Sequence, residues 1–418
     1  MKESDLLTFD VEAAAERLKG VVKSTPLELH DQLSETYGAE IFLKREDLQK
    51  VRSYKIRGAY NKISQLSDKE KHAGVICASA GNHAQGFAFS CALLTVQGTI
   101  VMPVTTPKQK VKQVTMFGRE WVEIILHGDH FDEAQTYAQE LCSKNNTTFI
   151  HPFNDREIME GQATVGLEIV DQLTDAPEVL VLPVGGGGLI AGVSTYVKNL
   201  FPNCLIVGVE PHEAPSMSKA LEAGKVIQLH EVDPFVDGAA VQKVGELPFS
   251  ICKNTIDHMV TVESGDICAT ILELYNRDAI VVEPAGAMTI TALKQIKPLI
   301  KGKRVVCLLS GSNNDITRME EMKERAMLYQ GLLHYFIIDF PQRAGALKEF
   351  VNDALTPKIE IVYFQYAKRT NRESGPVVIG VELPVAEEFA GLIHRFKSLD
   401  YRYQYLNDNE LLFSTLIG

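Results

Sequence analysis

Between residues 40 and 310, short apolar runs rich in β-branched residues alternate with amphipathic stretches. The apolar runs are 74–79, 99–102, 122–126, 179–184, 205–209 and 304–309. Most are continuous rather than alternating, as strands covered on both faces are. Between them, 83–94, 131–142, 156–173 and 189–200 carry apolar residues at helical spacing. This alternation predicts parallel sheets wrapped by helices. Two sheets fit the length better than one. Strands near 74–126 belong to a smaller lobe (about 50–155) inserted in a larger one that holds the strands from 179 to 309. A cleft between the lobes is then the natural ligand site.

The pattern changes near residue 318. A charged helical stretch at 318–329 reads as a connector. A strand at 333–340 follows, then a helix at 345–355, strands at 358–366 and 376–383, a helix at 387–399 and a strand-like end at 411–416. This order predicts a compact α+β sandwich of the split βαβ type. The domain boundary is expected at about 325–332, giving domains over 1–325 and 330–418.

Composition narrows the classes. A net charge of −12, from 42 basic and 54 acidic side chains, speaks against nucleic acid and against an anionic membrane as partners. The polar, acidic start Met1-Lys2-Glu3-Ser4-Asp5 is unlike a signal peptide, and no apolar run reaches the ~18 residues of a membrane span. The seven cysteines are odd in number and widely spaced, with no Cys-x-x-Cys. They read as small core residues in a reducing cytoplasm rather than as a disulfide or zinc framework.

Three motifs carry chemistry. Lys55 stands in Ser53-Tyr54-Lys55-Ile56-Arg57-Gly58-Ala59, behind Lys44-Arg45-Glu46-Asp47-Leu48-Gln49. Ser79-Ala80-Gly81-Asn82-His83 joins a strand to a helix and offers backbone N–H groups, a hydroxyl and an amide. Asn82 would serve equally well as a helix cap. Gly185-Gly186-Gly187-Gly188 lies between another strand and helix, where bared N–H groups bind anions. Amine, amide and anion cradle are the parts that hold a phosphorylated aldehyde cofactor as a Schiff base. A rival reading takes Gly186-x-Gly188-x-x-Ala191 and Glu210 as a dinucleotide fingerprint with its ribose-binding acid. That reading leaves Lys55 and the Ser79–His83 turn without a purpose. Ser310, after the strand 304–309, can donate a neutral hydrogen bond to a pyridine nitrogen, and Glu283 precedes a helix in Glu283-Pro284-Ala285-Gly286-Ala287.

Together these motifs, with Phe235-Val236-Asp237-Gly238-Ala239-Ala240-Val241, resemble the fold-type II pyridoxal-phosphate enzymes, most closely the biosynthetic threonine dehydratases. The resemblance covers roughly residues 10–320. It implies an α/β, two-lobed fold with two parallel-rich sheets wrapped by helices, plus a small α+β ACT-like domain. It implies pyridoxal 5'-phosphate as cofactor, with Lys55 as the Schiff-base lysine and catalytic residue. Asn82 is then the partner of the ring oxygen, Gly185, Gly186, Gly187, Gly188 and Leu189 surround the phosphate, and Ser310 meets the ring nitrogen. Substrate contacts are expected from Ser79, Ala80, Gly81, Asn82, His83, Gly238 and Glu283. Tyr54 and Ser312 depart from the family's usual Phe and frequent Ala.

The implied reaction is deamination of L-threonine to 2-oxobutanoate and ammonia, the first committed step of isoleucine biosynthesis. The alternative is an L-serine/L-threonine dehydratase or a serine racemase-like enzyme. Racemases of this fold carry a serine where this chain has Ala80, which has no proton to give, so a lyase with little racemase activity is expected. Residues 330–418 resemble one ACT-like copy, with Phe340-Pro341-Gln342-Arg343-Ala344-Gly345-Ala346-Leu347 at its strand-to-helix turn. This implies feedback control by isoleucine with valine opposing, and a homotetramer. Relatives hold an ion near the position of Glu210. Ser216 stands where an acidic ligand would, and no metal is expected.

Overall fold

The computed structural model describes residues 8–366 and 373–417. The chain divides into two compact units at Ile316/Thr317, ahead of the boundary expected at 325–332. The charged helix Met319–Tyr329, expected as a connector, therefore belongs to the second unit. Its Met322, Ala326 and Met327 are buried, and its Glu324 accepts a hydrogen bond from the Tyr335 hydroxyl at 2.7 Å.

In the first unit, β1 (Leu27–Leu29) and β2 (Glu40–Arg45) begin the larger sheet. The chain then leaves to build the smaller sheet from β3 (Val75–Ala78), β4 (Gly98–Met102), β5 (Val122–Leu126) and β6 (Thr148–Phe149). It returns with β7 (Val179–Pro183), β8 (Leu205–Pro211), β9 (His258–Val262) and β10 (Arg304–Leu309). The orders are β1-β2-β10-β7-β8-β9 and β5-β4-β3-β6. Every pairing is parallel except β1 with β2. All five residues of β7 are buried, as a central parallel strand requires.

Two glycines set the position of the helix Lys55–Ser64. A Cβ on Gly58 would stand 2.7 Å from the Ile158 carbonyl oxygen, and one on Gly161 2.6 Å from the Arg57 carbonyl oxygen. Backbone thus meets backbone between this helix and Arg156–Gln172, a distance only glycine permits.

The second unit contains β11 (Leu333–Pro341), β12 (Glu360–Tyr366), β13 (Ser374–Glu382) and β14 (Tyr403–Tyr405). They form one antiparallel sheet in the order β12-β13-β11-β14. The helix Glu388–Ser398 packs Leu392 and Phe396 into the core with Phe336, Phe340 and Phe350. The strand expected at 411–416 is instead the helix Glu410–Leu416. The Asn409 side chain accepts from the Leu412 N–H at 3.1 Å and starts the turn. Helical spacing then sets Leu412, Phe413 and Leu416 against Leu333 and Tyr335. The short strand β14 instead pairs antiparallel with β11 at the edge of the sheet.

Candidate active site

Every residue expected to meet cofactor or substrate on the pyridoxal-phosphate reading, from Lys55 to Ser310, lines one cavity of 780 Å³ in the first unit. The ends of β3, β7 and β10 all open onto it, as the carboxyl ends of parallel strands do.

Lys55 opens its helix and directs Nζ to the Pro152 carbonyl at 3.0 Å, with the ammonium 5.4 Å from the centre of the Tyr54 ring. Burial pulls the amine down to about 8, against an opposing pull from Glu283. The segment after β10 docks on the chain around Lys55: the Tyr54 N–H donates to the Ser310 carbonyl at 3.2 Å, and Ser53 bridges Gly311. Ser312 donates to the Asp47 carbonyl at 3.0 Å. Its hydroxyl thus fastens this segment.

The turn after β3 is held by Ser79, whose Oγ accepts from the Gly81 and Ala84 N–H groups, each at 3.3 Å. The N–H groups of Ala80, Asn82 and His83 have no acceptor among the described residues and form a nest for an anion. The His83 ring is turned away to the Ile150 carbonyl, with Nε2 at 3.0 Å, and burial together with Lys55 pulls its pKa down to about 3. It is a neutral donor, and its contribution to the turn is its backbone.

Between β7 and the helix Gly188–Leu200, the N–H groups of Gly185 through Leu189 likewise have no acceptor among the described residues. Gly187 has φ +89°, which favours glycine. A Cβ on Gly186 would lie 2.3 Å from the Phe153 ring, and one on Gly188 2.9 Å from the Phe153 carbonyl oxygen. The cradle exists only because these positions carry no side chain. Free donors at a helix N-terminus suit a phosphate, and a buried amine faces the same cavity. The residues present therefore fit pyridoxal 5'-phosphate.

Glu283 is 4% exposed and stands just ahead of the helix Pro284–Thr291. Burial, reinforced by Asp237, raises its carboxyl to about 7. Its Oε1 accepts from Asn82 Nδ2 at 2.6 Å. A Cβ on Gly238 would stand 2.9 Å from the Ala285 Cβ and 3.9 Å from Asn82 Nδ2, so glycine keeps that wall thin.

Sequence reasoning missed Asn313, which donates to Asn82 Oδ1 at 2.5 Å, and Phe153, on which the glycine turn rests. The tight Gly-run signalled that something lies close beneath it, though not what. It also missed Lys110 and Asp237, which pair at the cavity wall.

Glu210 has no ribose-binding role. It is fully buried at the end of β8, outside the residues lining the cavity. Its carboxylate accepts from the Met217 and Ser218 N–H groups at 2.6 and 2.9 Å and from Ser218 Oγ at 2.7 Å. It caps the helix Ser216–Ala223, and burial raises its pKa to about 7. The Ser216 hydroxyl donates to the Val241 carbonyl. The cysteines are free, and no helix among the described residues is long and apolar enough to cross a membrane.

Residues 18–311 match the family model of pyridoxal-phosphate dependent enzymes, and residues 324–416 that of the C-terminal regulatory domain of threonine dehydratase. The chain is 53% identical to the biosynthetic L-threonine dehydratase IlvA of Halalkalibacterium halodurans, over 98% of each chain. It is 49% identical to the biosynthetic L-threonine dehydratase IlvA of Bacillus subtilis, over 100% of this chain and 99% of the relative. The solved processed form of threonine deaminase isoform 2 from Solanum lycopersicum superposes with a TM-score of 0.71 at 42% identity, over 77% of this chain and 92% of that one. The glycine cradle, the buried amine and this full-length likeness converge: the chain belongs to the pyridoxal-phosphate dependent enzymes, among the biosynthetic threonine dehydratases.

Proposed function

We propose that this chain deaminates L-threonine to 2-oxobutanoate and ammonia with pyridoxal 5'-phosphate as cofactor, in the biosynthesis of isoleucine. The observation that carries the reading is the Lys55 amine, lowered to about 8 and facing a cavity with two unsatisfied N–H nests. The Gly185–Leu189 nest holds the cofactor phosphate. The Ala80, Asn82 and His83 N–H groups hold the substrate carboxylate. With the cofactor bound, the Asn82 amide nitrogen would donate to the ring oxygen and the Ser310 hydroxyl to the ring nitrogen. When bound, the cofactor supplies an electron sink for the charge left at the substrate α-carbon.

Lys55 takes the α-proton, because its lowered pKa leaves a useful neutral fraction near physiological pH. The resulting ammonium can return a proton to the departing β-hydroxyl, which leaves as water. The released enamine tautomerises to an imine, and hydrolysis of that imine yields the keto acid and ammonia. The Ala80 side chain is a methyl group, with no proton to give at the cavity wall. Elimination therefore outruns racemisation, and L-serine is a secondary substrate.

The match to a regulatory domain supports effector control through the second unit; isoleucine as inhibitor with valine opposing is carried over from the family resemblance. A cytoplasmic homotetramer is carried over from the family resemblance. The test is 2-oxobutanoate formation from L-threonine by Lys55→Ala. A fall of at least ~10³-fold is expected for loss of the proton-transfer group and the cofactor's anchor. Turnover at the original speed sinks the reading.

A further inference from the structure

Two amides and a carboxyl group from distant parts of the sequence form a hydrogen-bonded chain along the cavity wall. Asn313 Nδ2 donates to the Val51 carbonyl at 2.9 Å and to Asn82 Oδ1 at 2.5 Å. Asn82 Nδ2 in turn donates to Glu283 Oε1 at 2.6 Å. The direction of this chain is set at its first link. A backbone carbonyl can only accept, so Asn313 must turn its NH₂ toward Val51. The second hydrogen of the same NH₂ points at Asn82, which must answer with its oxygen. The Asn82 nitrogen is thereby left facing Glu283 and the cavity.

The anchor is rigid. Val51 is fully buried, and the flanking backbone is held by Ser312 N–H to the Arg52 carbonyl at 2.9 Å and by the Ser53–Gly311 bridge. Inverting Asn313 would set its Oδ1 against the Val51 carbonyl, acceptor to acceptor, so the orientation holds even though Oδ1 is buried with no partner.

We propose that Asn313 is a positioning residue that locks the Asn82 amide with its nitrogen toward the cofactor site. It acts through Asn82 and makes no contact of its own with substrate. The inference rests on the reading that Asn82 donates to the cofactor ring. A free asparagine amide is nearly symmetric in shape and can present either atom. Pinning its oxygen removes the orientation that would set an acceptor against the ring oxygen.

The test uses full-length apoenzyme reloaded with pyridoxal 5'-phosphate, in Asn313→Asp, Asn82→Ala and the double variant. The cofactor dissociation constant and the absorption maximum of the bound cofactor are read together. The carboxylate introduced by Asn313→Asp cannot donate to Asn82, so this variant is expected to bind cofactor about fivefold more weakly, the worth of roughly one hydrogen bond. It should move the absorption maximum in the same direction as Asn82→Ala. The double variant should match Asn82→Ala within about twofold, because the pin has nothing left to hold. Should Asn313→Asp not fold, Asn313→Ala removes the donor without adding charge and carries the same comparison. Effects of the two substitutions that simply add overturn the pin while leaving the Asn82 reading intact. An Asn82→Ala enzyme with unchanged affinity and spectrum overturns the Asn82 reading and the pin with it.

Discussion

Arg57 grips Glu46 with two prongs, Nε to Oε2 at 2.8 Å and Nη2 to Oε1 at 2.7 Å, and both side chains are closed to solvent. Burial alone would push the Glu46 carboxyl up, but the adjacent guanidinium outweighs it and holds the carboxyl below its ordinary range. Arg57 also reaches Glu168 at 2.7 Å, which accepts from Lys44 Nζ at 2.6 Å. Two cations thus face two carboxylates under the helix that Lys55 begins, and the network ties that helix to Arg156–Gln172.

Removing one member leaves a charge buried without its partner. Arg57→Met is expected to lower unfolding stability by about 3–5 kcal/mol, whereas Arg57→Met with Glu46→Met should recover most of that loss. Urea midpoints of the two variants against the parent decide it. A double variant no more stable than the single one shows that the pair is not the source of the loss.

The glycine turn gives a steric prediction. Gly186→Ala places a Cβ 2.3 Å from the Phe153 ring, so either the turn or the ring must move. Cofactor affinity should fall by at least about tenfold, since the phosphate donors move with the turn. Phe153→Ala opens the space that the methyl group needs. Adding it to Gly186→Ala should restore part of the affinity, measured by titrating apoenzyme with cofactor. If it restores none, the clash is not the cause.

Lys55 gives a pH prediction. Burial lowers its amine to about 8, and the Glu283 carboxylate works the other way. In apoenzyme, labelling of Lys55 by an amine-selective acylating reagent, followed by peptide mass, should rise with pH through a midpoint near 8. An ordinary surface lysine titrates near 10.4. Glu283→Gln removes the negative charge that favours the ammonium, so the midpoint should drop. A midpoint that stays with the surface lysines refutes the burial effect, and one that rises in Glu283→Gln refutes the sign.

What the sequence disclosed was local. The strand-to-helix alternation, the tetraglycine turn and the Ser79–His83 turn each sit within a few residues, where spacing and backbone chemistry are readable. The rest depends on separations that no window spans. Asn313 lies 231 positions from Asn82, and Phe153 serves the glycine turn from another part of the chain. Lys44, Glu46 and Arg57 look like surface charges in sequence, because only the fold shows that they neutralise one another out of water. The edge strands β1 and β9 were unread for a different reason: one is three residues long and the other is only partly buried. The error at 411–416 came from an apolar run whose type is decided by the cap at Asn409 and by the surface it meets.

The unit boundary makes the last prediction specific about where to cut. The helix Met319–Tyr329 buries Met322, Ala326 and Met327, and its Glu324 receives the Tyr335 hydroxyl. A chain ended near Glu324 keeps half of that helix, with its buried Met322, while deleting Ala326, Met327 and β11. The stump exposes apolar surface, so this truncation should aggregate more than one ended at Ile316. The chain ended at Ile316 should retain threonine turnover, because every residue lining the cavity lies before that point. It should also lose any response to isoleucine and valine, since the match to a regulatory domain lies wholly in what is removed. Light scattering of both truncations and 2-oxobutanoate assays with each amino acid distinguish the outcomes. Isoleucine inhibition that persists in the shorter chain would move the effector site out of the second unit.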